Sequence, residues 1–279
     1  MLCSSNIVER KAEVISLTDT FSKALMFQDF LQAQIAFANL VANDIVDFLP
    51  LLLESSEKFM AKAALFELFD YSRAIESSPD NLAFTRRWMN FTTALTRYEA
   101  QVCCSHVSFK QCQRIMDIGG NSGEFVLQIC KEYPVLKATV VDLPLVCDIG
   151  RQHVDKHPQG AQINFHKANA LVDKLPEGFD LISFKSILHD WPEPAVQQFI
   201  RNSLSSLKSG GKVLIYERDV IDCSANNTPY YLLPMLLFFR SFRSFDFYCE
   251  LLKSEGLIDI QVRHIQLETP FYLITAIKP

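Results

Sequence analysis

The stretch Arg114 to Phe125, RIMDIGGNSGEF, places three of the chain's nine glycines within five positions. An apolar run around Asp117 leads into Gly119, Gly120 and Gly123, and a largely apolar run from Phe125 to Ile129 follows. A strand, a tight turn and a helix satisfy that order, because glycine lets a backbone turn sharply and approach a ligand closely. At the carboxyl edge of a parallel sheet such a turn is where a nucleotide binds. The pattern D-x-G-G-x-x-G overlaps the looser G-x-G-x-x-G signature only in part, so a purely structural turn competes with a binding turn at this point.

The rest of the chain divides around that turn. From about Ser16 to Val107 there is no glycine and no strand-like alternation, and apolar residues recur at helical spacing, as in Phe27, Phe30, Leu31 and Ile35. Helix breaks are expected near Pro50 and at Ser77 to Asp80, and Leu82 to Ala100 reads as one amphipathic helix carrying Trp88, Met89 and Phe91. From Arg114 onward, short apolar strands alternate with helices: RIMDI, KATVVDL, INFHK, FDLISFKS and KVLIYERD. LIDIQVRHIQ and FYLITAIKP then follow one another with only a short turn between them. The expected fold is α/β, a Rossmann-like doubly wound sheet ending in an antiparallel hairpin and preceded by an all-helical region. Residues 1–110 form the helical part and 111–279 the sheet part in this reading, with the junction near Val107 to Gln113.

With 279 residues and 49% hydrophobic content, the chain can bury a sizeable core. Its net charge of -5 arises from 27 basic and 32 acidic side chains scattered without a basic stripe, which argues against nucleic acid as a partner. The eight cysteines lack a CxxC spacing and read as reduced thiols of a cytoplasmic protein. Cys103, Cys104, His106 and Cys112 make a poor zinc site, because adjacent cysteines do not easily offer both sulfurs to one tetrahedral ion. No uninterrupted apolar run reaches the roughly 20 residues of a bilayer span, so no membrane partner is expected. The run Tyr230 to Phe239, broken by Pro234, reads as a buried helix or pocket wall.

Asp142 ends the second strand, 142 - 117 = 25 positions beyond Asp117, where a carboxylate can accept hydrogen bonds from ribose hydroxyls. Asp117 itself suits a ligand with a cationic amino-acid end and would repel a pyrophosphate, which favours S-adenosylmethionine over NAD. His189 follows the fourth strand in FKSILHDWPEPA, in the kind of loop where open α/β folds place chemistry. The competing reading is a helix-entry histidine, with Asp190 as a cap and Trp191 as packing.

The segments DIGGNSGEF, VVDLP, ANAL, FKSILHDW and KVLIYERDV, in this order and spacing, resemble the S-adenosylmethionine-dependent methyltransferases of the plant caffeate and acetylserotonin O-methyltransferase type. The likeness runs from about Asp70 to Pro279. It implies that Gly119, with Gly120 and Gly123, binds the methionine moiety beside Asp117, that Asp142 and Leu143 meet the ribose, and that Asn169 and Ala170 lie near the adenine. It implies a cofactor role for Lys185 on the fourth strand, His189 as general base, and Glu217, 217 - 189 = 28 positions on, as the carboxylate orienting it. S-adenosylhomocysteine would be the product, and no metal is expected.

Two departures stand out. Phe242 occupies the place where the family usually has a second glutamate, and the family's winged-helix part has no counterpart ahead of the helical segment. The acceptor pocket is expected from Trp88 and Met89 on one helix and from the segment bearing Phe238 and Phe242. Such aromatic surfaces suit a flat ring, hence a small aromatic substrate. The resemblance also implies a homodimer. Methylation at carbon or nitrogen, and binding of the cofactor without methyl transfer, remain open alternatives at this stage.

Overall fold

A computed structural model describes residues 2–221, 232–238 and 241–279. It begins with a short antiparallel hairpin, β1 (Val8–Lys11) and β2 (Val14–Leu17), turning at Ala12 with φ +55°. The helical region expected of the amino-terminal part follows from Asp19 onward, and this hairpin ahead of it is an addition to that expectation. Each strand has four residues, too few for alternation to register in the sequence, and they are mostly exposed.

Helices follow. Thr18 caps α1 (Asp19–Ala24), its hydroxyl accepting from the Phe21 N–H at 3.1 Å. Helix α2 (Gln28–Glu54) is broken at Phe48, two residues before Pro50, where the backbone leaves helical angles. Two short helices come next, α3 (Ser56–Met60) and α4 (Ala64–Leu68). Buried Asp44 of α2 accepts from the Ala64 and Leu65 N–H groups at 2.8 and 2.9 Å, satisfying the open amino end of α4. A 3-10 turn at Tyr71–Ala74 precedes the long α5 (Pro79–His106), which starts as the SSPD stretch suggested: Ser78 accepts from the Asn81 N–H and Pro79 fills the first turn.

The sheet part contains β3 (Arg114–Ile118), α6 (Glu124–Glu132), β4 (Lys137–Asp142), α7 (Pro144–Val154), β5 (Ile163–Lys167), β6 (Phe179–Lys185), α8 (Glu193–Leu204) and β7 (Leu207–Arg218). Then come α9 (Leu233–Leu237), α10 (Phe245–Ser254), β8 (Ile258–Gln266) and β9 (Pro270–Ile277). The seven strands lie in the order β5-β4-β3-β6-β7-β9-β8. The first five are mutually parallel, while β9 runs antiparallel to both β7 and β8. The terminal hairpin is therefore inserted with its last strand inward. Strand order reverses between β3 and β6, and the crevice at their carboxyl ends is the natural ligand position of such a sheet. Buried residues of β3, β6 and β7 such as Met116, Ile182 and Ile215 form the core beneath it.

One expectation about apolar runs is corrected. Residues 19–54 contain an 18-residue window of mean hydropathy 1.6, long and apolar enough by length and composition to cross a membrane, of which only 22% is buried. Isolated Gln, Asn and Asp residues hide it from a search for unbroken apolar runs.

Candidate active site

The glycine turn follows β3 directly. The Gly119 N–H donates to the Val141 carbonyl at 2.8 Å, and Gly119 (φ +64°) and Gly123 (φ +76°) hold the left-handed conformations that glycine tolerates. A Cβ at Gly119 would overlap Ile187, and one at Gly120 would run into Asp117 and Val140. Asp142 locks this turn to the next: its two carboxylate oxygens accept from the Asn121 N–H at 2.9 Å and the Leu143 N–H at 2.8 Å. Burial pushes the Asp142 carboxyl up to about 6 in spite of those two donors.

Beneath the turn lies Asp117, 1% exposed. One oxygen accepts from the Ser183 hydroxyl at 2.6 Å, and the other has no partner. Burial, opposed by Ser183 and Lys185, lifts its carboxyl to about 7. After β5, Asn169 is exposed and turns its side-chain oxygen to the Leu171 N–H at 3.1 Å, while Ala170 is buried. Lys185 is already engaged. Its ammonium donates to Thr96 at 2.9 Å and pairs with Glu99, which also pairs with Arg218 at 2.6 Å; Arg218 in turn meets Glu268 at 3.1 Å. Burial alone would raise the Glu99 carboxyl, but its two cationic partners hold it at about 2.

His189 stands on the 3-10 turn Leu188–Asp190 that follows β6. Its Nδ1 lies 2.7 Å from Glu217 Oε2, and Glu217 Oε1 accepts from the Ile187 and Leu188 N–H groups at 2.8 and 2.7 Å. A carboxylate only accepts, so Nδ1 carries the hydrogen and Nε2 is left as the reactive nitrogen. Nε2 faces Asp190 Oδ1 at 3.3 Å, and Asp190 Oδ2 accepts from the Tyr71 hydroxyl at 2.8 Å. Burial lowers the affinity of the imidazole for a proton, but Asp190 and Glu217 outweigh it and raise His189 above its ordinary value. The Phe242 ring centroid is 5.3 Å from that of His189. Arg243 donates to the Leu188 and Trp191 carbonyls at 3.1 and 2.6 Å, bracing the turn from outside.

These groups line one cavity of about 410 Å³. Asp117, Gly119, Gly120, Asp142, Leu143, Asn169, Ala170 and Lys185 line it from the strand ends, and His189 with Asp190 lines it beside the Phe242 ring. The far end is a cage of rings from the helices: Phe37, Phe69, Trp88, Phe91, Phe238 and Phe242. Phe37 and Phe91 have centroids 4.2 Å apart, and Phe238 packs within 6.0 Å of Phe69. Gly123 and Met89 are not among the lining residues. Gly123 starts α6, and Met89 packs in the core with Leu68 and Leu145. Of the anticipated wall Tyr230 to Phe242, residues 230, 231, 239 and 240 lie outside the described residues; Met235, Phe238 and Phe242 of the remainder reach the cavity.

Sequence reasoning missed Tyr71, Glu99, Phe37 and Phe69, and considered Asp190 only as a cap in the competing reading of His189. For Asp190 a signal existed, since it adjoins the histidine. The other four come from α2, α5 and the short segment between α4 and α5, which carry no chemical pattern of their own. Among the described residues, no group of three or more His, Cys, Asp or Glu side chains is arranged to hold a metal ion.

A parallel sheet that reverses around a glycine turn, ends in an inserted antiparallel strand and carries acidic groups on its first two strand ends defines a methyltransferase-type fold. Residues 59–257 match the O-methyltransferase domain model, and the chain belongs to that family. It is 36% identical over 135 residues to a 3-hydroxy-5-methyl-1-naphthoate 3-O-methyltransferase of Streptomyces sahachiroi, a match covering 48% of this chain and 39% of that protein. It is 30% identical over 153 residues to the acetylserotonin O-methyltransferase of Gallus gallus, covering 54% and 44%. The matched part thus spans less than half the length of these curated relatives. Human N-acetylserotonin methyltransferase, solved in complex with S-adenosylmethionine, superposes over 99% of this chain and 80% of its own with a TM-score of 0.74 at 19% identity. A mitomycin 7-O-methyltransferase gives 0.74 at 16% identity over 99% and 81%.

Proposed function

We propose that this chain transfers a methyl group from S-adenosylmethionine to a hydroxyl of a small aromatic molecule, with His189 as general base and Glu217 as its positioning residue. The observation that carries the reading is the His189–Glu217 pair at 2.7 Å: Glu217 is buried behind the imidazole, and His189 lines the same cavity as two strand-end carboxylates and a cage of aromatic rings.

The residues present fit the cofactor. Asp117 offers an unpartnered buried carboxylate oxygen suited to a cationic amino-acid end, and Asp142 is pre-aimed by two backbone N–H groups. Gly119 and Gly120 shape the backbone there, Leu143 and Ala170 supply apolar surface, and Asn169 stands at the outer edge. Lys185 acts at one remove, through its hold on Thr96 and Glu99. When bound, the cofactor supplies an electrophilic methyl group on a sulfonium. The aromatic cage holds the acceptor ring flat, excludes water and directs its hydroxyl to His189, where Nε2 takes the proton as the oxygen attacks. A phenol near ~10 is deprotonated by such a base during attack rather than before it.

The exposed apolar side chains of Leu25, Met26, Phe27, Val46, Leu49 and Leu53 support a homodimer formed through α2 and the 3-10 turn Leu25–Phe27 ahead of it. All described cysteines are unpaired thiols, as suits a cytoplasmic protein. Calorimetric titration with S-adenosylmethionine, S-adenosylhomocysteine and NAD tests the cofactor, and sedimentation tests the dimer. Binding of NAD in place of the sulfur ligands would end this reading.

A further inference from the structure

The hydrogen bond from Tyr71 to Asp190 joins groups 119 residues apart across the cavity. Tyr71 comes from the 3-10 turn before α5, and its ring stacks edge-on against Trp88 (5.3 Å) and Phe69 (6.4 Å). Asp190 comes from the turn that carries His189. Both oxygens of Asp190 are committed, Oδ2 to Tyr71 and Oδ1 toward His189 Nε2.

That arrangement contains one proton too few for all its acceptors. With Nδ1–H given to Glu217, a neutral imidazole would turn its Nε2 lone pair on the lone pairs of Asp190 Oδ1, which repel it. The contact is favourable only if a proton lies between them, on the imidazole or on the carboxyl. On its other side the His189 ring meets the hydrocarbon face of Phe242, which accepts nothing. Asp190 is therefore the group that decides where the base nitrogen's proton rests.

We propose that Tyr71 is a positioning residue for the base: by donating to Asp190 Oδ2 it holds that carboxyl ionised and aimed at His189 Nε2, so that the shared proton rests on the imidazole until an acceptor enters. The reading of His189 as base comes from the proposed function; the placement of the proton does not depend on it. Burial pushes Asp190 toward its neutral form, opposed by His189 and by the Tyr71 hydroxyl. Burial and the nearby carboxylates of Asp190 and Asp142 push Tyr71 well above its ordinary value, so it remains a donor throughout the working pH range. The remaining charged groups facing the pair are Glu217 on Nδ1, Arg218 behind it, and Arg243, which is occupied by the Leu188 and Trp191 carbonyls.

Selective carbon-13 labelling of the six histidines and NMR titration give the midpoint of His189, assigned by its loss in His189→Gln. Tyr71→Phe keeps the ring that packs on Trp88 and removes only the donor. The expected result is a His189 midpoint lower by about half a pH unit or more, a larger fall in Asp190→Asn, and no further fall when the two are combined. Coincident midpoints in wild type and Tyr71→Phe would overturn the proposal, as would a Tyr71→Phe effect that persists in the Asp190→Asn background. Loss of packing alone would not produce the coupling between the two positions. S-adenosylhomocysteine affinity, measured by calorimetry on the same proteins, is expected to stay within about threefold. If even the wild type fails to bind it, the methyltransferase reading falls while the titration still judges the role of Tyr71.

Discussion

The two ends of the cavity are built by different means. The sheet end is made of backbone: left-handed glycines, N–H groups aimed at Asp142, and a carboxylate buried under the turn. The helix end is made of side-chain rings from α2, α5, α9 and the segments between α4 and α5, held by packing alone. Backbone geometry tolerates almost no change, whereas a cage of rings can change composition and still enclose a ring. On the proposed function, one end would be fixed for the cofactor and the other free to follow the acceptor.

The sharpest test of that division is His189→Ala, which should lower methyl transfer by about 10²- to 10⁴-fold while leaving S-adenosylhomocysteine affinity within a few-fold. A parallel loss of both would mean that the two ends are not separable. Gly120→Val attacks the sheet end alone: with Asp117 and Val140 in the way, calorimetry should record a loss of S-adenosylhomocysteine affinity of about 10- to 100-fold.

Asp117→Asn sharpens the electrostatic side. Its folded value of about 7 lies above the ordinary value of 3.8, so the folded protein keeps a proton that the unfolded chain has released. The wild type therefore loses stability as pH rises from about 4 to about 7, and the loss is complete above that. Removing the carboxylate should make the variant progressively more stable than wild type over that range, by about 4 kcal/mol at pH 8, read from denaturant midpoints. A difference independent of pH would show that Asp117 is not buried as described. The smallest effect belongs to the helix end: Phe238→Ala should raise the acceptor KM by about five- to tenfold with little change in cofactor affinity.

The same contrast governs what the sequence reveals. The glycine turn, Asp142, His189 and Glu217 are legible because each sits at a strand end, and strand ends converge in a sheet whose order follows from local pattern. The rings of Phe37 and Phe69 carry no such mark. Phe37 is an ordinary member of α2 and Phe69 follows the last residue of α4, and only the packing of these elements with Phe91 of α5 and with the α9 segment brings them to the cavity. Trp88 and Met89 show the limit within a single helix: both are buried in the same core cluster, but adjacent residues point about 100° apart, and only Trp88 also lines the cavity. Lys185 was placed correctly on β6, yet its partners on α5 could not be read, because an ion pair spanning 86 residues leaves no periodic trace.

The quartet of Lys185, Glu99, Arg218 and Glu268 sums to no net charge and ties α5 to β6 and β7. Replacing any one member leaves an unbalanced charge among side chains that are largely buried. Mutational drift at these four positions must therefore proceed by paired replacement, and the seam between helices and sheet should be slower to diverge than the aromatic cage it supports.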